Sequence, residues 1–498
     1  MYLKSVAAKI FARSIVKRDL KWIKNPVETQ QKVFEDLIAS AKNTAFGKDH
    51  GFENIRSFTD YASKVPIRDY EALKPYVDKV VAGKEDILWP GKPLYFAKTS
   101  GTTSGAKYIP ITRDSMPSHV NAARNAILHY IYETGNARFV DGKMIFLQGS
   151  PEMSEKNGIK TGRLSGIVAH YVPGYLQKNR MPTWETNCID DWEKKVDAIV
   201  AETRSKNMSV ISGIPPWVQM YFERLLQATG KKTVKEIFKH FDLFIYGGVN
   251  FEPYKNTFKK LIGHDIDSIE LYPASEGFFA FQDKQHEKGM LLLLNSGIFY
   301  EFVKADEFFD EDPKRYTIGE VAKNVNYVML VSTNAGLWSY NVGDTVQFTC
   351  TQPYRVVVTG RIKHFISAFG EHVIGKEVDE AMALALSQCD AKVNEFTVAP
   401  QINPTSGLPF HEWFIEFGQL PENNMAFAER LDSALQEQNS YYMDLITGKV
   451  LSPLKITVVP PGGFNEYMRS QGKLGGQNKL PRLSNDRKIA DALTGTYV

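Results

Sequence analysis

The run LYFAKTSGTTSGAKYIPIT, residues 94–112, constrains the fold more than any other stretch. Its middle, Thr99, Ser100, Gly101, Thr102, Thr103, Ser104, Gly105 and Lys107, is too small and polar for a core and too rich in glycine and hydroxyls for a helix. It suits an anion cradle. Small residues let backbone N–H groups approach phosphate oxygens, hydroxyls add donors, and a lysine adds charge. A P-loop of the form G-x-x-x-x-G-K-[ST] runs straight into a helix. Here Gly105 falls one position early, Tyr108 follows the lysine, and KYIPIT alternates as a strand does. The expected context is strand, loop, strand, which argues against a P-loop kinase or GTPase. The plain alternative is a solvated hairpin loop.

The rest of the chain alternates. Residues 116–132 read as a long helix with Thr112 or Asp114 as N-cap. Residues 143–148 read as a buried strand, 192–208 as a helix, 209–213 as a short strand, 215–229 as a helix, and 243–246 as a strand ending in Gly247-Gly248. Such alternation predicts an α/β core with parallel strands, whose ligands sit at the carboxyl ends of strands. Upstream, 26–43 and 58–62 read as helices, and Asp69 opens a helix expected to break near Pro75. Residues 289–341 are strand-rich.

At 498 residues the chain exceeds one ordinary domain. Hydrophobic residues at 43% supply large cores and exclude global disorder. Sixty basic against 57 acidic residues leave a net charge of +3, which gives no reason to expect nucleic acid or a membrane as partner. Cys188, Cys350 and Cys389 lie far apart, as free thiols in a reducing cytoplasm would. The ten histidines show no metal-ligand spacing, so zinc is not expected.

No segment approaches the ~20 apolar residues that span a bilayer. The N-terminus is basic and amphipathic: Leu3, Val6, Ala7, Ile10 and Phe11 are expected on one helical face, opposite Lys4, Lys9 and Arg13. It lacks the long apolar region of a secretory signal. A first helix docked on the body is expected, with an organellar transit peptide as the alternative.

Two further loops carry candidate chemistry. In SIELYPASEGFF a strand is expected to end at Tyr272, before the loop 273–277. A carboxylate such as Glu276 in a small-residue loop can hold magnesium, which takes few carboxylates plus phosphate oxygens. An aromatic at a strand end can stack a base. The bland alternatives are a core tyrosine and a solvated acid. In YNVGD, Asp344 follows a glycine turn expected between strands, where it can accept two ribose hydroxyls; Gly-Asp is also common turn chemistry.

Taken in order, TSGTTSGAK, YPASE, YNVGD and GRIKHFI resemble the phosphate-loop, Y-x-x-[ST]-E, Y-x-x-G-D and hinge motifs of the adenylate-forming superfamily of acyl-CoA synthetases, adenylation domains and luciferases. TAFGKDHGF, VPIRDYEALKPYV, ILWPGKPLYFAKTSGTTSG and the C-terminal QNKLPR narrow this over essentially the whole chain. They resemble the Gretchen Hagen family of acyl-acid amido synthetases, also called auxin-responsive promoter proteins.

The resemblance implies a large N-terminal adenylate-forming domain of mixed sheets and helices, 1–362, and a smaller mobile α+β domain, 363–498. It implies adenylation of a small carboxylic acid by ATP and magnesium, then acyl transfer to an amino acid. Ser100, Gly101, Thr102, Thr103, Ser104 and Lys107 would cradle the β- and γ-phosphates. Tyr272 would pack on adenine beside Gly247 and Gly248. Ser275 and Glu276 would hold the α-phosphate and magnesium. Asp344, supported by Arg361, would take the ribose hydroxyls, and Lys363 would be the hinge. The glycine-rich end offers Lys473 and Lys479 as the catalytic lysine; QNKLPR favours Lys479. Arg124 is a candidate to steer the acid carboxylate. The chain is expected to act as a monomer. The rival readings are an acyl-CoA ligase sharing the first step and a non-catalytic nucleotide-binding regulator.

Overall fold

The computed structural model describes residues 2–99, 107–172, 174–189, 191–248, 251, 254–362, 365–366, 368, 371, 373–447, 450–474, 480–484 and 486–496. Its backbone separates into two compact units. One comprises Met1–Val249 and Lys260–Val357; the other comprises Asn250–Lys259 and Val358–Val498.

In the first unit, the cradle stretch is bounded by the strands Tyr95–Thr99 and Lys107–Ile111. They pair antiparallel, with Thr99 opposite Lys107. Residues 100–106 between them lie outside the described residues, so Ser100, Gly101, Thr102, Thr103 and Ser104 are not placed. Phe96, Ala97, Ile109 and Ile111 are fully buried and fix the pair to the core. Thr112 donates from Oγ1 to the Asn334 carbonyl at 2.7 Å, and Asn334 returns a bond to the Asp114 carbonyl at 3.0 Å, which ties the second strand to a distant turn.

The main sheet has eleven strands among the described residues. Arg180–Met181, Lys143–Phe146, Met208–Ser212, Leu243–Gly247 and Asp267–Ala274 run parallel, in that spatial order. The order continues through Gly277–Phe281, Met290–Leu292, Tyr354–Arg361, Tyr340–Thr351, Asn326–Thr333 and Ile298–Lys304. Asp267–Ala274 is the switch point, because its next neighbour, Gly277–Phe281, pairs antiparallel. The helices Trp192–Thr203 and Pro215–Thr229 provide crossovers between the parallel strands. The N-terminal helices cover the other end, where Trp338 is fully buried, 4.8 Å from the Phe52 ring and 5.9 Å from that of Phe46.

Several boundaries differ from expectation. The Tyr70–Val81 helix runs through Pro75. Proline removes only one intrahelical bond, and burial of Leu73, Val77 and Val80 holds the helix on both sides of it. The helix expected over 192–208 stops at Thr203, and Met208 already belongs to the next strand. The strand expected over 143–148 ends at Phe146. The Met116–Thr134 helix has Ser115 at its N-cap; Thr112 and Ser115 exchange side-chain to backbone bonds just ahead of it. The Tyr2–Lys24 helix docks by Ala12, Ile15, Val16 and Trp22, while Val6, Ile10 and Phe11 of the expected apolar face remain exposed.

The second unit has its own core. The strands Lys392–Gln401 and Phe410–Gln419 pair antiparallel, and Lys455–Val459 joins the second in parallel. The helices Gly375–Ser387 and Asn424–Gln438 bury Val378, Met382, Leu431 and Leu435 beside Phe396, Trp413 and Ile415 of the sheet. From sequence alone 394–401, 410–417 and 454–460 read as strands and 377–387 and 426–439 as helices, each within two residues of the observed bounds. The first unit is thus a mixed α/β body and the second a smaller α+β body.

Candidate functional site

The carboxyl ends of two adjacent parallel strands bring together residues from separate motifs. Gly247 ends one and lies opposite Leu271 of the next. A Cβ on Gly247 would sit 2.4 Å from the Leu271 carbonyl oxygen, so no other residue fits that register. Gly248 follows at φ +84, a conformation that glycine adopts without strain. The strand Asp267–Ala274 runs two residues beyond Tyr272 and pairs directly back, with Ala274 opposite Gly277. Ser275 and Glu276 are therefore the two tip residues of a tight hairpin, both half-buried.

Asp344 lies within the strand Tyr340–Thr351, and the expected break between strands is absent. Its register against Asn326–Thr333 jumps from Leu330–Asn341 to Val328–Thr345. Three residues thus face one, a bulge. Gly343 sits in it at φ +87 and donates its N–H to Asn341 Oδ1 at 2.8 Å. The bulge turns the Asp344 carboxylate out of the ladder, and the Tyr272 hydroxyl donates to Asp344 Oδ2 at 2.7 Å. These residues lie on strands four places apart in the sheet order, so the sheet curls to bring them together. Tyr272 is buried, edge-on to Phe279 at 5.1 Å.

The start of the Asp344 strand is locked by a buried polar network that the motifs did not announce. Ser339 is fully buried at φ +43 and donates to Glu301 Oε2 at 2.7 Å. Arg315 reaches both Glu301 and Ser339 at 3.1 Å, and the Tyr61 hydroxyl bonds Ser332 at 2.7 Å. Burial pushes Glu301 above the usual carboxylate range, against the opposing pull of Arg315. Arg68, in VPIRDY, pairs its backbone with Ser339 and Asn341. Only the folded backbone joins these residues; each alone reads as an ordinary polar side chain.

The remaining candidates are distributed as follows. Lys107 is half-buried with Nζ 5.5 Å from the Tyr70 ring centre, and the Tyr70 hydroxyl accepts from the Tyr108 N–H at 2.9 Å. Arg124 faces the N-terminal helix: its guanidinium lies 5.6 Å from the Phe11 ring centre and donates to Asn125 Oδ1 at 3.0 Å. Arg361 is the exposed last residue of its strand. Lys363 and Lys479 lie outside the described residues. Lys473 is exposed just past a helix end, its N–H bonded to the Met468 carbonyl.

Arg482 is a residue whose position the sequence did not reveal. Three positions after Lys479, it is half-buried among Glu395, Asp379 and Tyr254 and lies over the Phe396 ring. Burial opposes its charge, but Glu395, Tyr254 and Asp379 outweigh burial and raise its pKa further. The backbone around it pairs with Val398, and the Pro481 carbonyl accepts from Thr397 at 2.7 Å.

Among the described residues, no three His, Cys, Asp or Glu side chains gather as a metal cage. One half-exposed carboxylate, Glu276, at a strand end is the donor set that magnesium takes when phosphate oxygens supply the rest.

Three family models match the chain in order: the GH3 family N-terminal domain over 17–189, its central domain over 291–361 and its C-terminal domain over 376–488. The indole-3-acetic acid-amido synthetase GH3.3 of Arabidopsis thaliana is 20% identical, over 94% of this chain and 91% of its own. The AtGH3.15 acyl acid amido synthetase, solved with 2,4-DB, superposes with a TM-score of 0.80 at 17% identity, over 98% of this chain and 96% of that one. A 2-hydroxyisobutyryl-CoA ligase in its postadenylation state superposes at 0.60 with 13% identity, over 94% and 90%. These three consecutive domain matches, covering most of its length, show that the chain belongs to the GH3 family.

Proposed function

We infer that this chain is an ATP-dependent acyl-acid amido synthetase, a ligase that joins a small carboxylic acid to an amino acid. The observation that carries the reading is the cluster at the ends of the main-sheet strands: Gly247 and Gly248, the Tyr272–Asp344 hydrogen bond and the Ser275-Glu276 tip. The names of the family relatives point the same way.

In the first step a carboxylate oxygen attacks the α-phosphorus of ATP. The bond to the bridging oxygen breaks, and pyrophosphate leaves. Charge accumulates on the α-phosphate, so catalysis is positioning plus electrostatic stabilisation. Asp344 would accept the ribose hydroxyls, Tyr272 would pack on adenine, and Lys107 with the 100–104 loop would cradle the outer phosphates. Glu276 and Ser275 would hold magnesium, which supplies charge neutralisation when bound. Lys479 would meet the α-phosphate oxygens. In the second step the amine nitrogen attacks the acyl carbon, the bond to AMP breaks, and the amine loses a proton. No enzyme-bound acyl group is needed.

We assign the first step chiefly to residues 1–362 and place Lys363 as the hinge to 363–498, with Arg361 supporting the ribose site. Arg124, set against the N-terminal helix, is retained only as a candidate for the acid. Among the described residues Cys188, Cys350 and Cys389 form no disulfide, in keeping with a reducing cytoplasmic setting.

The test is acid-dependent pyrophosphate release from ATP by the purified protein and by Glu276→Gln. The variant keeps its shape and loses the charge that orients the metal, so its rate should fall at least tenfold, ~1.4 kcal/mol in the barrier. An unchanged rate and magnesium dependence would reject the Glu276 assignment.

A further inference from the structure

The overall charge of the chain is nearly balanced, but its first helix is not. Tyr2–Lys24 carries Lys4, Lys9, Arg13, Lys17, Arg18, Lys21 and Lys24, all exposed. Its one acid, Asp19, is buried and held by His129 at 3.1 Å and by Arg18. The outward surface therefore bears no negative side chain of its own.

The same surface exposes aliphatic and aromatic groups. Ile10 is 65% exposed, Val6 51% and Phe11 44%. Val6 and Ile10 do not serve the fold, because the helix docks through Ala12, Ile15, Val16 and Trp22 on the opposite side. At 100° per residue Val6 and Ile10 lie on the outward stripe with Lys17, Lys21 and Lys24, and Arg13, expected opposite them, falls on the same stripe. The toward-solvent face is thus apolar in its first turns and basic along its remainder, about 35 Å in all at 1.5 Å per residue.

We propose that the outward face of the Tyr2–Lys24 helix docks the protein on an anionic lipid bilayer, lying in the plane of the interface. Aliphatic groups amid a run of lysine and arginine suit the boundary between acyl chains and acidic headgroups. The long basic side chains can reach the headgroups while their stems stay in the apolar zone. The described helices include none long and apolar enough to cross a membrane, so the association is peripheral. A second copy of this chain on the same face would set two rows of cations against each other, which disfavours it. Phe11 contributes only partly, since it is half-covered by Arg124.

The experiment uses the full chain, co-sedimented with vesicles of phosphatidylcholine alone and of equal parts phosphatidylcholine and phosphatidylglycerol. Binding is expected on the anionic vesicles only, with release as salt is raised. Val6→Asp with Ile10→Asp should lower the bound fraction about tenfold, and Arg13→Gln with Lys17→Gln by a comparable factor. Both pairs should keep the parent melting temperature and rate of pyrophosphate release. No binding to anionic vesicles, equal binding to neutral ones, or parent-like binding by both double variants would overturn the proposal. So would a dimer, seen by light scattering, that Ile10→Asp converts to monomer. If the aspartate pair fails to fold, the glutamine pair alone decides.

Discussion

At the scale of single residues, the Tyr272–Asp344 hydrogen bond has the clearest consequence. A nucleotide ribose at Asp344 would exploit an acceptor already held in place by a phenol. Asp344→Ala should raise the KM for ATP about tenfold or more, because buried hydroxyls would lose a charged acceptor worth ~1.5–3 kcal/mol. Tyr272→Phe keeps the ring and loses only the orienting bond, so its effect should be a few-fold. Pyrophosphate-release kinetics across ATP concentrations measure both. An unchanged KM in Asp344→Ala would make the residue a structural element of its bulge alone.

Another residue speaks to stability. Burial pushes the His119 imidazole down to about 4, and its Nδ1 has no hydrogen-bond partner among the described residues. The unfolded chain takes up this proton near pH ~6.5, well before the folded protein does. The stability conferred by the neutral ring is present above that pH and is lost as pH falls from ~6.5 to about 4, by up to ~3 kcal/mol. His119→Leu should flatten this part of the profile. Urea midpoints of parent and variant at pH 7 and in mild acid check it: the gap must shift in favour of the variant as pH falls.

At the scale of elements, the Gly247–Leu271 contact fixes how two strands end side by side. Gly247→Ala would force a methyl against backbone, at a cost of ~1–3 kcal/mol for overpacking. A lower melting temperature together with a raised KM for ATP is expected; a parent-like protein would show that the strand ends move apart freely. Elements with local signals were legible in the sequence. Pro215–Thr229 matches to the residue because prolines open it and Gly230 closes it in the left-handed conformation. The Asp344 strand was misread as a turn because Gly343 does punctuate the backbone, but as a bulge, and a bulge is defined by the partner strand. The expected apolar face of the first helix is not the one that docks, because that helix is apolar on two sides, and periodicity cannot say which side meets the body. The Ser339–Glu301–Arg315 network joins residues far apart in the chain, so no window of sequence contains it.

At the scale of the whole molecule, four ordered motifs pointed to the family, and the three consecutive domain matches bear the family out. What joins Tyr272 to Asp344, or Arg482 to Glu395 and Asp379, is visible only in three dimensions. The reading of Lys479 over Lys473 rests on the sequence and is testable by separating the half-reactions. Lys479→Ala should lose pyrophosphate release by several orders of magnitude, a few kcal/mol at ~1.4 kcal/mol per decade. It should still convert a supplied acyl adenylate and amine to amide. Lys473→Ala, at an exposed helix end, should affect both steps less. Equal loss of both steps in Lys479→Ala, or selective loss of adenylation in Lys473→Ala, would reverse the assignment.

The acceptor decides between an amido synthetase, an acyl-CoA ligase and a nucleotide-binding regulator. The purified protein, supplied with ATP, magnesium and a panel of small acids, should be offered amino acids in one set of reactions and coenzyme A in the other, with products identified by mass. The account predicts AMP, pyrophosphate and an N-acyl amino acid in equal amounts, with no thioester. Thioester formation without amide, or no ATP turnover with any acid, would contradict it.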